Sequence, residues 1–131
     1  MRQVPLNATG SRELVVAAEH LAGAVVATLP QVMSTPTMVA LMEQAAIAAL
    51  TPYIEDGETS VGTSISVEHL AATPVGHRVS AEAEVTKVEG RRIEFRVAAF
   101  DESDQIGRGV HNRAVIDLAK FTERLKPKLK S

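Results

Sequence analysis

The sequence predicts an α+β domain in which one long buried helix lies against a five-stranded, largely antiparallel sheet. Three observations predict it. One strongly helical, apolar segment stands in the first half of the chain. The second half alternates apolar and polar residues with a period of two. Short turn signals separate those alternating runs, as antiparallel neighbours require.

Taken in order, a first strand is expected from Arg12 to Ala18. The helix follows from Thr35 to Leu50. Thr35 can cap its N-terminus, and Pro36 suits the first helical position. Good helix formers fill Met38 to Leu50. Pro52 and Asp56-Gly57 then end the helix. It is apolar nearly all round, which predicts burial on most sides. The next strand, Thr59 to His69, alternates Val61, Thr63, Ile65 and Val67 with Ser60, Gly62, Ser64 and Ser66. Val79, Ala81, Ala83 and Val85 mark a third strand, and Ile93, Phe95, Val97 and Ala99 a fourth, with a tight turn at Glu89-Gly90 between them. Ser103-Asp104 is the next turn, and Ile106 to Leu118 the last strand. Gly107 and Gly109 inside that strand mark a bulge or a close backbone approach.

The 131 residues are read as one domain, 1–131, with a basic tail at about 119–131. Apolar residues at 45% and charged residues at 23% exclude a wholly disordered chain. A net charge of −2, no Trp, one Tyr and three Phe argue against a nucleic-acid partner. Zero Cys excludes disulfides, thiolate nucleophiles and cysteine-held metal, and fits a reducing compartment. The best apolar run, Leu14 to Leu29, carries Glu19 and His20 and is too short to span a membrane. A soluble cytoplasmic protein with no membrane partner is expected. No HxxxH or HxxE spacing occurs, and GxSxG, GxxxxGK[ST] and GxGxxG are absent. Neither a metal nor a cofactor is expected. The tail sets Lys120, Arg124, Lys126, Lys128 and Lys130 against Glu123 alone. It reads as a solvated, partly frayed end or as a local attraction for a phosphorylated ligand.

Glu43 carries the most information. It is the only charged residue between Glu19 and Glu55, and Val39, Ala40, Ala46 and Ile47 flank it on the helix. A carboxylate there is costly unless paired, hydrogen-bonded or protonated. It serves either acid–base chemistry or a structural tie to backbone or to a partner subunit. Thr35 lies eight residues earlier, roughly 12 Å along a helix axis, too far for direct contact. Either the preceding chain folds back, or the two residues act from opposite subunits. His69 shares the parity of Ile65 and Val67 and should lean toward the helix. His111 and Arg113 share one strand face, as an exposed charged stripe or as a wall of an anion site. His20 and His77 stand at element edges and receive no role.

Several runs together resemble a known family. They are Thr35-Pro36-Thr37-Met38-Val39-Ala40-Leu41-Met42-Glu43, Thr51-Pro52-Tyr53-Ile54-Glu55, and Gly62-Thr63-Ser64-Ile65-Ser66-Val67-Glu68-His69 continuing to Gly76. Val88-Glu89-Gly90-Arg91-Arg92 and Ile106 to Ile116 extend the match. These resemble the fluoroacetyl-CoA thioesterase family of hotdog proteins over about residues 30 to 121. The resemblance implies hydrolysis of an acyl-CoA by a homodimer, with a hotdog domain as its fold. It implies a catalytic set at Thr35, Glu43 and His69, with Gly62 and Arg113 binding substrate. Glu43 would be nucleophile or base, Gly62 N–H would polarise the carbonyl, His69 would handle the proton, and Thr35 would orient water or Glu43. The family's gating phenylalanines are missing: the stretch reads Val26-Ala27-Thr28-Leu29-Pro30, and Gln44 replaces an aromatic residue after the Glu. The expected substrate is therefore a short- or medium-chain acyl-CoA. The rival expectation is a hotdog protein that binds an acyl-CoA or another apolar ligand without turning it over.

Overall fold

A computed structural model describes residues 1–130. Its strands are β1 (Thr9–Val15), β2 (Glu58–His69), β3 (Arg78–Glu89), β4 (Arg92–Phe100) and β5 (Gln105–Asp117). Its helices are the single turn α1 (Ala22–Val25), the long α2 (Thr35–Leu50) and α3 (Leu118–Leu125). The sheet order is β1-β3-β4-β5-β2, with every neighbouring pair antiparallel. So β1 and β2 are its two edges.

Alternation produces the core. Val79, Ala81, Ala83 and Val85 of β3, and Ile93, Phe95, Val97 and Ala99 of β4, are buried against α2. From α2 they receive Met38, Leu41, Met42, Ala45, Ala46, Ala49 and Leu50. Small residues let helix and sheet approach closely. A Cβ at Gly107 would strike the side chains of Met38 and Met42, and one at Gly109 would strike the backbone of Ser66. These glycines mark close approaches, one of the two readings their sequence supports.

Three expectations need correction. β1 lies three residues earlier than expected, because Ala18–His20 turns away as a 3-10 segment. The N-cap of α2 is Ser34, whose hydroxyl accepts from Thr37 N–H at 3.2 Å. Thr35 is thus the first helical residue and its hydroxyl is free for other partners. The helix is buried or half-buried on most sides, as its composition predicts, and leaves one open strip. Val39 and Glu43 are half-buried, while Pro36, Ala40, Gln44 and Ile47 are exposed. Finally, the basic tail is not frayed at its start: Asp117 caps α3 by accepting from Lys120 N–H at 3.0 Å. The last tail residue, Ser131, lies outside the described residues.

Candidate active site

The first half of the site sits where the end of β2 meets the start of α2. Thr35 Oγ1 and His69 Nδ1 are 2.8 Å apart. The chain before α2 sets this contact. Leu21 bridges Met33, and His20 C=O accepts from Ser34 N–H at 2.8 Å and from the Thr37 hydroxyl. His20 therefore has a structural role, closing the loop that delivers Thr35. His69 Nε2 is buried without a hydrogen-bond partner among the described residues. An unpartnered buried nitrogen in a cleft is available to a ligand or a second chain. The cleft beside it, about 400 Å³, is lined by Ala22, Val32, Met33, Leu70 and Ala71 as well as Thr35 and His69. Val25, Val26 and Leu29 stand exposed in the segment just before α2.

The second half is centred on Glu43. Its Oε2 accepts from Arg113 NH1 at 3.3 Å. Glu43 is therefore not solitary, as its helical neighbours implied; the partner comes from β5, seventy residues away in sequence. Glu43 keeps 39% of its side chain exposed, whereas Arg113 keeps 5%. Arg113 is further fixed by Nε donating to Ser60 Oγ at 2.9 Å and NH2 donating to Ser60 C=O at 3.0 Å. His111 and Arg113 thus form an interior wall, and the exposed-stripe alternative is excluded. Gly62 faces the same spot: a Cβ there would lie 3.0 Å from Glu43 Oε2. A side chain at this position would press on the carboxylate and narrow the space between it and the strand.

A bulge decides which side Gly62 faces. Simple alternation puts Gly62 and His69 on opposite faces of β2. The register of β2 on β5 shifts between Gly62 and Ser64, leaving Thr63 as the extra residue. The shift turns Ser60 and Gly62 to the helix side, together with Ile65, Val67 and His69. Both halves of the site therefore open on one side of the sheet. Within one chain they stay separate: Thr35 is bonded to His69, and Glu43 to Arg113.

Electrostatics distinguish the two histidines from exposed ones. Burial pushes the His69 and His111 imidazoles below their ordinary value of 6.5, and Arg113 adds to the effect at His111. Both are neutral in the fold near neutral pH. As pH falls through 6.5 the unfolded chain takes up these protons first, so it binds more protons than the native state. Stability must then fall with falling pH, from 6.5 down to the lower folded values. We expect the urea midpoint to hold steady above about pH 7 and to drop as the pH falls below about 6.5. A midpoint that stays flat across that window would mean both rings titrate as exposed histidines do.

Comparison with known proteins identifies the family. The family profile "Fluoroacetyl-CoA-specific thioesterase" matches residues 16–119. The fluoroacetyl-CoA thioesterase of Streptantibioticus cattleyicolor is 51% identical over 102 residues, covering 78% of this chain and 73% of that protein. A crystal structure of the fluoroacetyl-CoA thioesterase FlK superposes with a TM-score of 0.93 at 40% identity, covering 98% of this chain and 99% of that one. A variant of that enzyme has been solved in complex with acetyl-CoA. A hot-dog-like protein from Thermanaerovibrio acidaminovorans, 24% identical with a TM-score of 0.87 over 97% of this chain and 94% of that one, shares the fold. With the family's profile spanning residues 16–119, which include α2, the candidate positions Thr35, Glu43, Gly62, His69 and Arg113, and most of the sheet, this chain belongs to the fluoroacetyl-CoA-specific thioesterase family of hotdog proteins.

Proposed function

We propose that this protein hydrolyses the thioester of a short- or medium-chain acyl-CoA to the free acid and coenzyme A, as a cytoplasmic homodimer. The observation that carries the reading is the divided site beside a strand whose outer edge has no partner among the described residues. β2 is an edge strand of twelve residues with no Pro or Lys to guard it. Such an edge is a template for another strand. The half-open α2 face beside it, with Val39, Ala40 and Ile47, also lacks a cover among the described residues. A second copy of this chain satisfies both. A two-fold axis near Ile65 and Ser66 pairs β2 with its copy in antiparallel fashion. The Gly62 end of one strand then lies against the His69 end of the other. Glu43, Gly62 and Arg113 of one copy thereby meet the partner's His69 and the partner's Thr35. The same pairing carries the basic α3 toward the partner's cleft, where coenzyme A phosphates would find cations.

The chemistry follows from the groups so assembled. Glu43 either takes a proton from water as it attacks the thioester carbonyl or attacks that carbon itself and is freed by water. In both routes one water is consumed, the C–S bond breaks and the acid leaves. Gly62 N–H donates to the developing oxyanion, and neutral His69 takes up at a ring nitrogen the proton that water releases and passes it to the departing thiolate. Thr35 orients His69 through the Nδ1 contact. Arg113 holds the Glu43 carboxylate at the carbonyl.

The test is release of free thiol from acetyl-, fluoroacetyl-, butyryl- and hexanoyl-CoA. We expect turnover of at least one of them. The lining before α2 is aliphatic, so fluoroacetyl- and acetyl-CoA should differ by no more than about 10–200-fold in kcat/KM, the range that one small group supplies. A fluoroacetyl preference above about a thousandfold would reveal a gate other than an aromatic one. Binding of every substrate without thiol release would make the protein an acyl-CoA binder.

A further inference from the structure

His111 has no part in the chemistry above, yet it is 1% exposed and lies in the middle of the Glu43 half of the site. Its two nitrogens have partners of fixed character. Nδ1 is 2.7 Å from the Ser64 carbonyl, which can only accept, so Nδ1 carries a proton. Nε2 is 3.2 Å from Arg113 NH1, which can only donate, so Nε2 carries a lone pair. One tautomer of the neutral ring satisfies both. A protonated ring would oppose one N–H with another and place two cations in contact. The charged groups that face His111 are Arg113 on its own strand and Glu43 on α2. β2 presents the Ser64 carbonyl and Gly62, and β4 presents the Phe95 ring, its centroid 6.1 Å away.

We infer that His111 is a positioning residue for the reaction: as the neutral Nδ1–H tautomer it anchors Arg113, and through Arg113 it fixes the Glu43 carboxylate against Gly62. The inference rests on the thioesterase reading above and deepens it. The geometry gives the direction of action. Arg113 NH1 is shared between His111 Nε2 and Glu43 Oε2. Ser60 holds the other side of the guanidinium, so Nε2 is the contact that aims NH1 along the sheet. Ser64 and Ser60 bracket the bulge that turns Gly62 inward. His111 on Ser64 and Arg113 on Ser60 therefore clamp that bulge from within, and one network positions both the carboxylate and the strand it faces. Protonation of His111 would push Arg113 away and release both.

The experiment combines two readouts. Nitrogen-15 NMR of histidine-labelled protein reports the tautomer directly, with the His111→Gln variant identifying the signal. The Nδ1–H form is expected, persisting below pH 6.5. Kinetics then test the action on Glu43. His111→Phe fills the space but offers Arg113 no acceptor, and it should lower kcat by roughly 10²-fold with little change in KM, as a displaced catalytic group does. His111→Gln can restore an acceptor to Arg113 and should recover most of kcat while flattening the acid limb of the pH profile. In a Glu43→Gln background, His111→Phe should cost nothing further. An Nε2–H tautomer, a His111→Phe enzyme with wild-type kcat, or independent additive losses would overturn the inference. A His111→Phe protein that does not fold leaves the tautomer and the His111→Gln profile to decide. A wild type with the Nδ1–H tautomer and no thiol release would defeat the thioesterase reading instead.

Discussion

Glu43→Gln is expected to fold and to lose about 10²–10⁴-fold in thioester hydrolysis, the usual worth of a positioned acid–base group. Glutamine keeps the length and shape of the side chain. Its carbonyl oxygen can still accept from Arg113 NH1, so the contact at 3.3 Å has a substitute. What it cannot do is take a proton from water or attack a carbonyl carbon. Stability should change less than activity. Arg113 loses the charge beside it, but its bonds to Ser60 and His111 remain, and Glu43 is 39% exposed. A cost of about 1–3 kcal/mol is in keeping with a buried cation left with a neutral acceptor. Thermal denaturation and thiol release measured on one preparation separate the two effects. A folded Glu43→Gln protein with wild-type turnover would remove the carboxylate from the mechanism.

Much of this architecture is legible in the sequence, because the features concerned are local and periodic. The α2 span, Thr35 to Leu50, follows from helix formers between a Pro and a Pro-Gly stop. The strand faces of β3 and β4 follow from alternation and the Glu89-Gly90 turn, where Gly90 has φ 60°. Three features escape such reading, each for a physical reason. The cap of α2 is Ser34, because Ser34 and Thr35 are both competent caps and the loop closed by His20 selects between them. The Arg113 partner of Glu43 is a tertiary contact with no local signature. The bulge at Thr63 is set by pairing with β5, and strict alternation places Gly62 on the wrong face. The third matters most, since Gly62 and His69, the proposed oxyanion donor and proton carrier, would otherwise lie on opposite sides of the sheet. His69 shows the opposite case. Its parity with Ile65 and Val67 lies wholly after the bulge, so its inward lean and its contact with Thr35 agree with the sequence.

The largest effect on assembly concerns the division of the site between subunits. Thr35 and Glu43 are eight residues apart on a helix that runs unbroken from Thr35 to Leu50, a separation of about 12 Å. No side-chain rotation closes that gap. If the site is whole only across the interface, each active centre takes Glu43 from one copy and His69 from the other. Single variants Glu43→Gln and His69→Ala should then each be nearly inactive alone, because both centres of each dimer lack one group. Mixing them changes the count. A heterodimer has one centre with both defects and one centre with none. The decisive measurement unfolds the two purified variants together at equal amounts, refolds them and assays thiol release from the best substrate. Random pairing makes half the dimers mixed, each with one intact centre of two, so about a quarter of wild-type activity should return. Activity that stays at the level of the parent variants, with mixed dimers confirmed by mass, would contradict a shared site and place Thr35, Glu43 and His69 within one chain.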